Sequence, residues 1–210
     1  MLTTISYILA TKLAHAAERE DVDYIRYGIE ITLSVLLKIV FFIWISSLFG
    51  VTAKMLIVAF SFAFFRIFSG GIHLSTFLRC LISSTILFLI PSIIITKDWL
   101  FSPVILTVFT YLIGILSTIF FVPISATNRP IPIEKKSSFK WKSFLFLSLW
   151  FILSLFFTKY LHSKTFAIYS SFGILIQSYT LTPLGSNTFK MIDKFFDLKK
   201  KGGYKNEKII

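Results

Sequence analysis

Long apolar runs separated by short polar connections set the pattern of this chain. Six runs reach or approach the length of a membrane span: Ile29–Leu48, Ala53–Phe68, Leu81–Thr96, Leu100–Val122, Phe144–Tyr160 and Phe166–Leu184. A bilayer core takes about 20 apolar residues per helical span. Backbone groups in lipid must be satisfied within a helix or a closed barrel, and the apolar–polar alternation of a barrel is absent. The pattern therefore predicts an all-α, polytopic membrane protein with six transmembrane helices. The second and third runs are short, and the second contains Arg66, which is tolerable near an interface or inside the protein.

Ahead of the runs, Ile5, Ile8, Leu9, Lys12, Leu13 and Ala16 recur at roughly helical spacing. They predict an amphipathic helix within residues 1–27, either lying on the membrane surface or packed on the protein's own inner face. The opening lacks a basic start before a continuous apolar core, so a signal peptide is not expected. No internal repeat is present. The expected organisation is one domain, with a membrane region over 29–184 and a basic tail over 185–210.

Composition agrees with a lipid environment. The chain is 55% hydrophobic and 15% charged, with a mean hydropathy of +0.79, whereas soluble domains carry about 25% charged residues. The net charge of +12 changes the picture through its distribution. Placing the N-terminus inside and counting six spans puts seventeen basic residues inside and four outside. Cytoplasmic loops carry such an excess, so both termini and residues 66–80 are expected on the cytoplasmic side. Topology signal and attraction to anionic lipid together account for most of the charge. Nucleic-acid binding is not expected, because the basic residues are divided among loops at the membrane surface. A narrower role for Lys135, Lys136, Lys140 and Lys142 is recruitment of an acidic peptide.

Candidate chemistry is concentrated in "RIFSGGIHLSTFLRC", Arg66 to Cys80. Cys80 is the single cysteine, so it has no disulfide partner within the chain. One Cys and one His fall short of the four ligands of a structural zinc site. Neither a metal nor a cofactor is expected. Cys80 is then either an inert thiol or a nucleophile. A nucleophilic thiolate needs a base or a positive environment. His73 can supply the first, and Arg66 and Arg79 the second; Arg66 could instead stabilise an oxyanion. Gly70 and Gly71 open backbone conformations closed to other residues. Each residue also has a plainer reading: arginines as topology signals, glycines as a turn, His73 as an interfacial polar group.

Spacing constrains the pair. Seven residues along one helix separate His73 from Cys80 by about 10.5 Å, too far for a hydrogen bond. Three alternatives follow: a glycine-permitted loop folding back over the start of the third span, a rearrangement, or pairing between subunits. Glu30 and Glu134 are candidates for orienting His73, with pairing to a basic residue the preferred reading of Glu30.

These residues resemble the accessory gene regulator B family of Gram-positive bacteria, membrane peptidases that process quorum-sensing peptides. The family pattern is an Arg, a Gly-containing turn, a His seven residues after the Arg and a Cys seven after the His. Here it falls on Arg66, Gly71, His73 and Cys80, and "VPISATNRPIPIEKK" resembles the family's Asn–basic–Pro segment. The resemblance implies that His73 assists Cys80 in attacking a precursor peptide of the accessory gene regulator D type. The C-terminal fragment leaves, and an acyl-thioester on Cys80 closes to a thiolactone or lactone. It also implies a homodimer. The competing class is a non-catalytic transporter or adaptor for a small peptide, with Glu30, Lys38 and Arg66 lining a pathway.

Overall fold

The computed structural model describes residues 2–17, 21–72, 74–95, 102–125 and 132–203. Among the described residues there are eight helices and no strand: α1 (Leu2–Ala16), α2 (Val22–Leu48), α3 (Thr52–Ser69), α4 (Phe77–Ile94), α5 (Pro103–Phe121), α6 (Ile133–Lys159), α7 (Lys164–Leu181) and α8 (Pro183–Gly203). The all-α membrane fold expected from the pattern is present. Five helices, α2 to α6, are long and apolar enough to cross a bilayer.

The chain forms two compact units, residues 1–50 and 51–210. In the first, α1 packs on α2. Its buried positions are Ser6, Ala10 and Ala14, one turn apart, while Ile8, Leu9 and Leu13 of the expected apolar stripe are exposed. Small residues allow close approach between helices, so a second stripe makes the protein contact and the large apolar side chains stay outward. Helix α2 begins at Val22, well before the apolar run at Ile29. Arg26 pairs with Asp23 at 3.2 Å and with Glu30 at 3.7 Å along this extension. Glu30 is thus engaged within its own helix, as the preferred sequence reading had it.

In the second unit, α7 is the central element, packed against α3, α4, α5, α6 and α8. Eleven of its residues are buried, including Ser170, Ser171, Gln177, Ser178 and Thr180. This explains why the sixth apolar run is the least lipid-like: its polar groups point into protein. Trp150 Nε1 donates to Ser170 Oγ at 3.0 Å. Gly173 lies against the α3 backbone, where a Cβ would meet the Val58 carbonyl. The apolar cluster around α7 comprises Phe65, Val122, Leu147, Trp150, Ile174 and Leu181.

Two boundaries differ from the hydropathy pattern for one reason: apolar runs mark the part of a helix suited to lipid, not the part that is helical. Helix α6 starts at Ile133 rather than Phe144 and runs through the lysine-rich stretch. The segment read as a basic tail contains α8. Thr182 caps it, accepting the Gly185 N–H at 3.1 Å through its hydroxyl, and Pro183 occupies a first helical position that suits its fixed φ.

Candidate active site

Helix α3 ends in a turn fixed from two sides. Gly70 N–H donates to the Arg66 carbonyl at 2.9 Å, and Gly70 has φ +74°, in the region that favours glycine. A Cβ here would meet the Ile124 carbonyl oxygen. The turn is packed that closely because Gly70 bridges Ile124, whose N–H donates to the Ser69 carbonyl at 3.1 Å. The stretch 66–80 and the start of the "VPISATNRP" segment, separate in sequence, therefore meet. Residues 126–131 of that segment, including Asn128 and Arg129, lie outside the described residues.

Arg66 is drawn inward to hold the same turn. Its Nη2 donates to the Ile72 carbonyl and its Nη1 to Gln177 Oε1 at 3.3 Å. Gly71, at φ +149°, lies against the guanidinium, with a Cβ position 2.5 Å from Nη1. Gln177 completes the network. Its Nε2 donates to Ser69 Oγ at 2.9 Å and to the Gly70 carbonyl at 2.8 Å, and its Oε1 also accepts from Thr180 Oγ1 at 3.0 Å. The Arg66 charge interacts electrostatically with Cys80.

Cys80 sits in the first turn of α4. Thr76 is the N-cap, its side chain accepting the Arg79 N–H at 3.4 Å, and the Cys80 N–H donates to the Thr76 carbonyl at 3.1 Å. Cys80 is half-buried. Helix α3 stops at Ser69 and α4 starts at Phe77, so Arg66 and Cys80 lie on different helices. His73 itself lies outside the described residues.

Beyond position 73 a second network holds the chain. Asp193 of α8 accepts the Ser75 N–H at 3.0 Å and the Ser75 hydroxyl at 3.0 Å. Arg79 Nη1 pairs with Asp193 Oδ1 at 3.0 Å, and the guanidinium stacks over Phe196 at 5.6 Å. Partial burial raises the proton affinity of the Asp193 carboxyl. Hydrogen bonds from Arg79 and Ser75, with the Arg79 charge, outweigh that effect and hold it below the usual aspartate range.

Sequence reasoning missed Gln177 and Asp193. A glutamine inside "GILIQSYTL" is itself a signal, since polar residues in membrane helices face protein or a functional cavity. Asp193 was masked by the lysines around it. The four lysines proposed for recruitment divide. Lys135 and Lys136 are exposed on α6, Lys140 donates to the Ile119 carbonyl of α5 at 2.7 Å, and Lys142 lies 6.0 Å from the Phe139 ring centre. Glu134 is exposed in the first turn of α6, where its charge suits the helix N-terminus.

A family model described as Accessory gene regulator B matches residues 3–181. The chain belongs to the AgrB family. An AgrB-like protein of Clostridium perfringens (strain 13 / Type A) is 27% identical over 209 residues, covering 93% of this chain and 98% of that protein. The accessory gene regulator protein B of Staphylococcus aureus (strain bovine RF122 / ET3-1) is 28% identical over 178 residues, covering 80% of this chain and 88% of that protein. No solved structure matches. The AgrB match ends at Leu181, the last residue of α7, so α8 and Asp193 lie beyond it.

Proposed function

We propose that this AgrB-family chain is a membrane cysteine peptidase that cleaves a precursor peptide and cyclises it into a quorum-sensing signal. The observation that carries the reading is the placement of Cys80: a half-buried cysteine in the first turn of α4, in electrostatic reach of the half-buried Arg66. A helix N-terminus and a nearby cation are surroundings in which nucleophilic cysteines are found. Arg66 is also committed to Ile72 and Gln177, which favours a role as fixed positive field over one as a mobile oxyanion donor.

In this mechanism His73 takes the thiol proton. The Cys80 thiolate attacks the scissile carbonyl carbon, the amide C–N bond breaks, and the leaving amine receives the proton. A Cys thiol or Ser hydroxyl within the precursor, losing its own proton to His73, then attacks the thioester. The ring closes, and the Cys80 sulfur leaves and is reprotonated. Water must be excluded meanwhile, since hydrolysis of the thioester gives a linear product. The acidic tail of the precursor is assigned to Lys135 and Lys136, and the site to the cytoplasmic face of a homodimer.

The test is trapping. Wild type incubated with a precursor lacking its internal Cys or Ser should accumulate an adduct of chain plus N-terminal peptide, sensitive to hydroxylamine. Cys80→Ala should form none and release no C-terminal fragment. His73→Ala should lose most activity and recover part of it at higher pH. Fragment release by a verified Cys80→Ala protein would refute the assignment. Labelling of Cys80 in sealed cells by an impermeant maleimide would refute the cytoplasmic site.

A further inference from the structure

Both oxygens of the Asp193 carboxylate are engaged. One oxygen takes the Ser75 N–H at 3.0 Å, and the other takes the Ser75 hydroxyl and Arg79 Nη1, each at 3.0 Å. Arg79 Nη1 also donates to Ser75 Oγ at 2.9 Å and to the Asp193 carbonyl at 3.2 Å. Ser75 immediately precedes the N-cap of α4, and Arg79 immediately precedes Cys80. A closed set of contacts from another helix thus spans the whole first turn that presents the sulfur. In a helix as basic as α8, a solvated face would leave its carboxylate in water. This one is directed at the turn instead, and its side chain is 24% exposed.

We propose that Asp193 is a positioning residue: α8 grips the Ser75–Arg79 turn and thereby fixes the direction in which Cys80 offers its sulfur. The proposal rests on Cys80 being the nucleophile. Gripping both ends of one helical turn fixes its rotation about the α4 axis, and so the Cα–Cβ direction of Cys80. Attack geometry is sensitive to small displacements, whereas an ion pair near the surface adds little to stability. A positioning role therefore predicts a loss of rate out of proportion to any loss of stability.

The experiment uses the full chain in membrane vesicles, with two readouts. The first is the rate at which N-ethylmaleimide labels Cys80, unambiguous because the chain has one cysteine and independent of any precursor. The second is the kinetics of fragment release from a synthetic accessory gene regulator D-type precursor. Asp193→Asn, nearly isosteric, should label severalfold faster. Its kcat should fall about 10- to 100-fold, with KM within about twofold of wild type. Asp193→Glu should recover most of the rate. Arg79→Ala combined with Asp193→Ala should lose less than the sum of the two single variants, because both remove the Arg79–Asp193 contact.

Unchanged labelling and kcat in Asp193→Asn would overturn the proposal. So would additive losses in the double variant, or a raised KM at unchanged kcat. Should Asp193→Asn lose its native elution profile in detergent, Asp193→Glu decides: wild-type labelling with a low rate counts against positioning, and recovery of both supports it. If wild type forms no adduct yet labelling still responds to Asp193, the peptidase reading fails and the grip on α4 stands.

Discussion

Two networks hold the chain on either side of position 73, and they are built on opposite principles. The inner one joins Arg66 and Gln177 to Ser69, Gly70 and Ile72. Gln177 is completely buried, and every hydrogen bond it makes replaces one that water cannot supply. The outer one joins Asp193, Ser75 and Arg79 closer to the surface, with Ser75 exposed and the Arg79 and Asp193 side chains half-buried. Removing one member of the first takes a partner from buried groups, at about 1–3 kcal/mol in all. Removing one member of the second changes stability by about 1 kcal/mol or less. The inner network belongs to folding and the outer one to alignment.

The sharpest way to break this contrast is at Gly70. Gly70→Ala combines a positive φ with a Cβ driven into the Ile124 carbonyl, and should destabilise the protein by about 3 kcal/mol. Thermal unfolding in detergent measures it; a loss below about 1 kcal/mol would mean that the bridge to Ile124 is not maintained. Gln177→Leu comes next. It removes one partner each from Arg66, Ser69 and the Gly70 carbonyl, all of which keep another, and should cost about 2 kcal/mol in all, with activity falling because the turn before position 73 loosens. Asp193→Asn should shift stability by about 0.5 kcal/mol, although its effect on rate is large. If it proved as costly to stability as Gln177→Leu, the distinction between the networks would collapse.

The smallest effect expected is that of pH on the outer network. The folded Asp193 carboxyl lies below its ordinary value of 3.8. Its stabilising contribution is therefore complete above that value and is lost only as pH falls through the lower folded value. The ratio of Cys80 labelling rates between wild type and Asp193→Asn should stay constant from about pH 5.5 to 8, a window well above ordinary aspartate titration. A slope in that window would show that another titrating group shares the contact.

The fold was largely legible because lipid imposes a strict pattern. The apolar runs located α2 to α7, and the polar interruption from Arg66 to Cys80 located the candidate site. Helix ends were less legible, since α6 continues through "EKKSSFKWK", where no hydropathy signal exists but nothing stops a helix. Arg66, Gly70 and Gly71 were identified from their spacing, and their meeting with Ile124 was not, because contact between distant segments leaves no periodic trace. Gln177 carried a readable signal as a polar residue in an apolar run. Asp193 did not: an acid among lysines reads as a solvated surface until its helix is docked.

Only Thr182 separates α7 from α8, and it is tied on both sides: its N–H donates to the Tyr179 carbonyl at 3.0 Å and its hydroxyl caps Gly185. The joint is an elbow rather than a tether. Gln177 lies about one turn before it and Asp193 about three turns after it, so the two arms of this elbow reach the two ends of the same short loop. A load applied to the end of α8, by a fused domain or a bound partner, acts with a lever arm on Ser75 and delivers its torque to the helix that steadies Gly70.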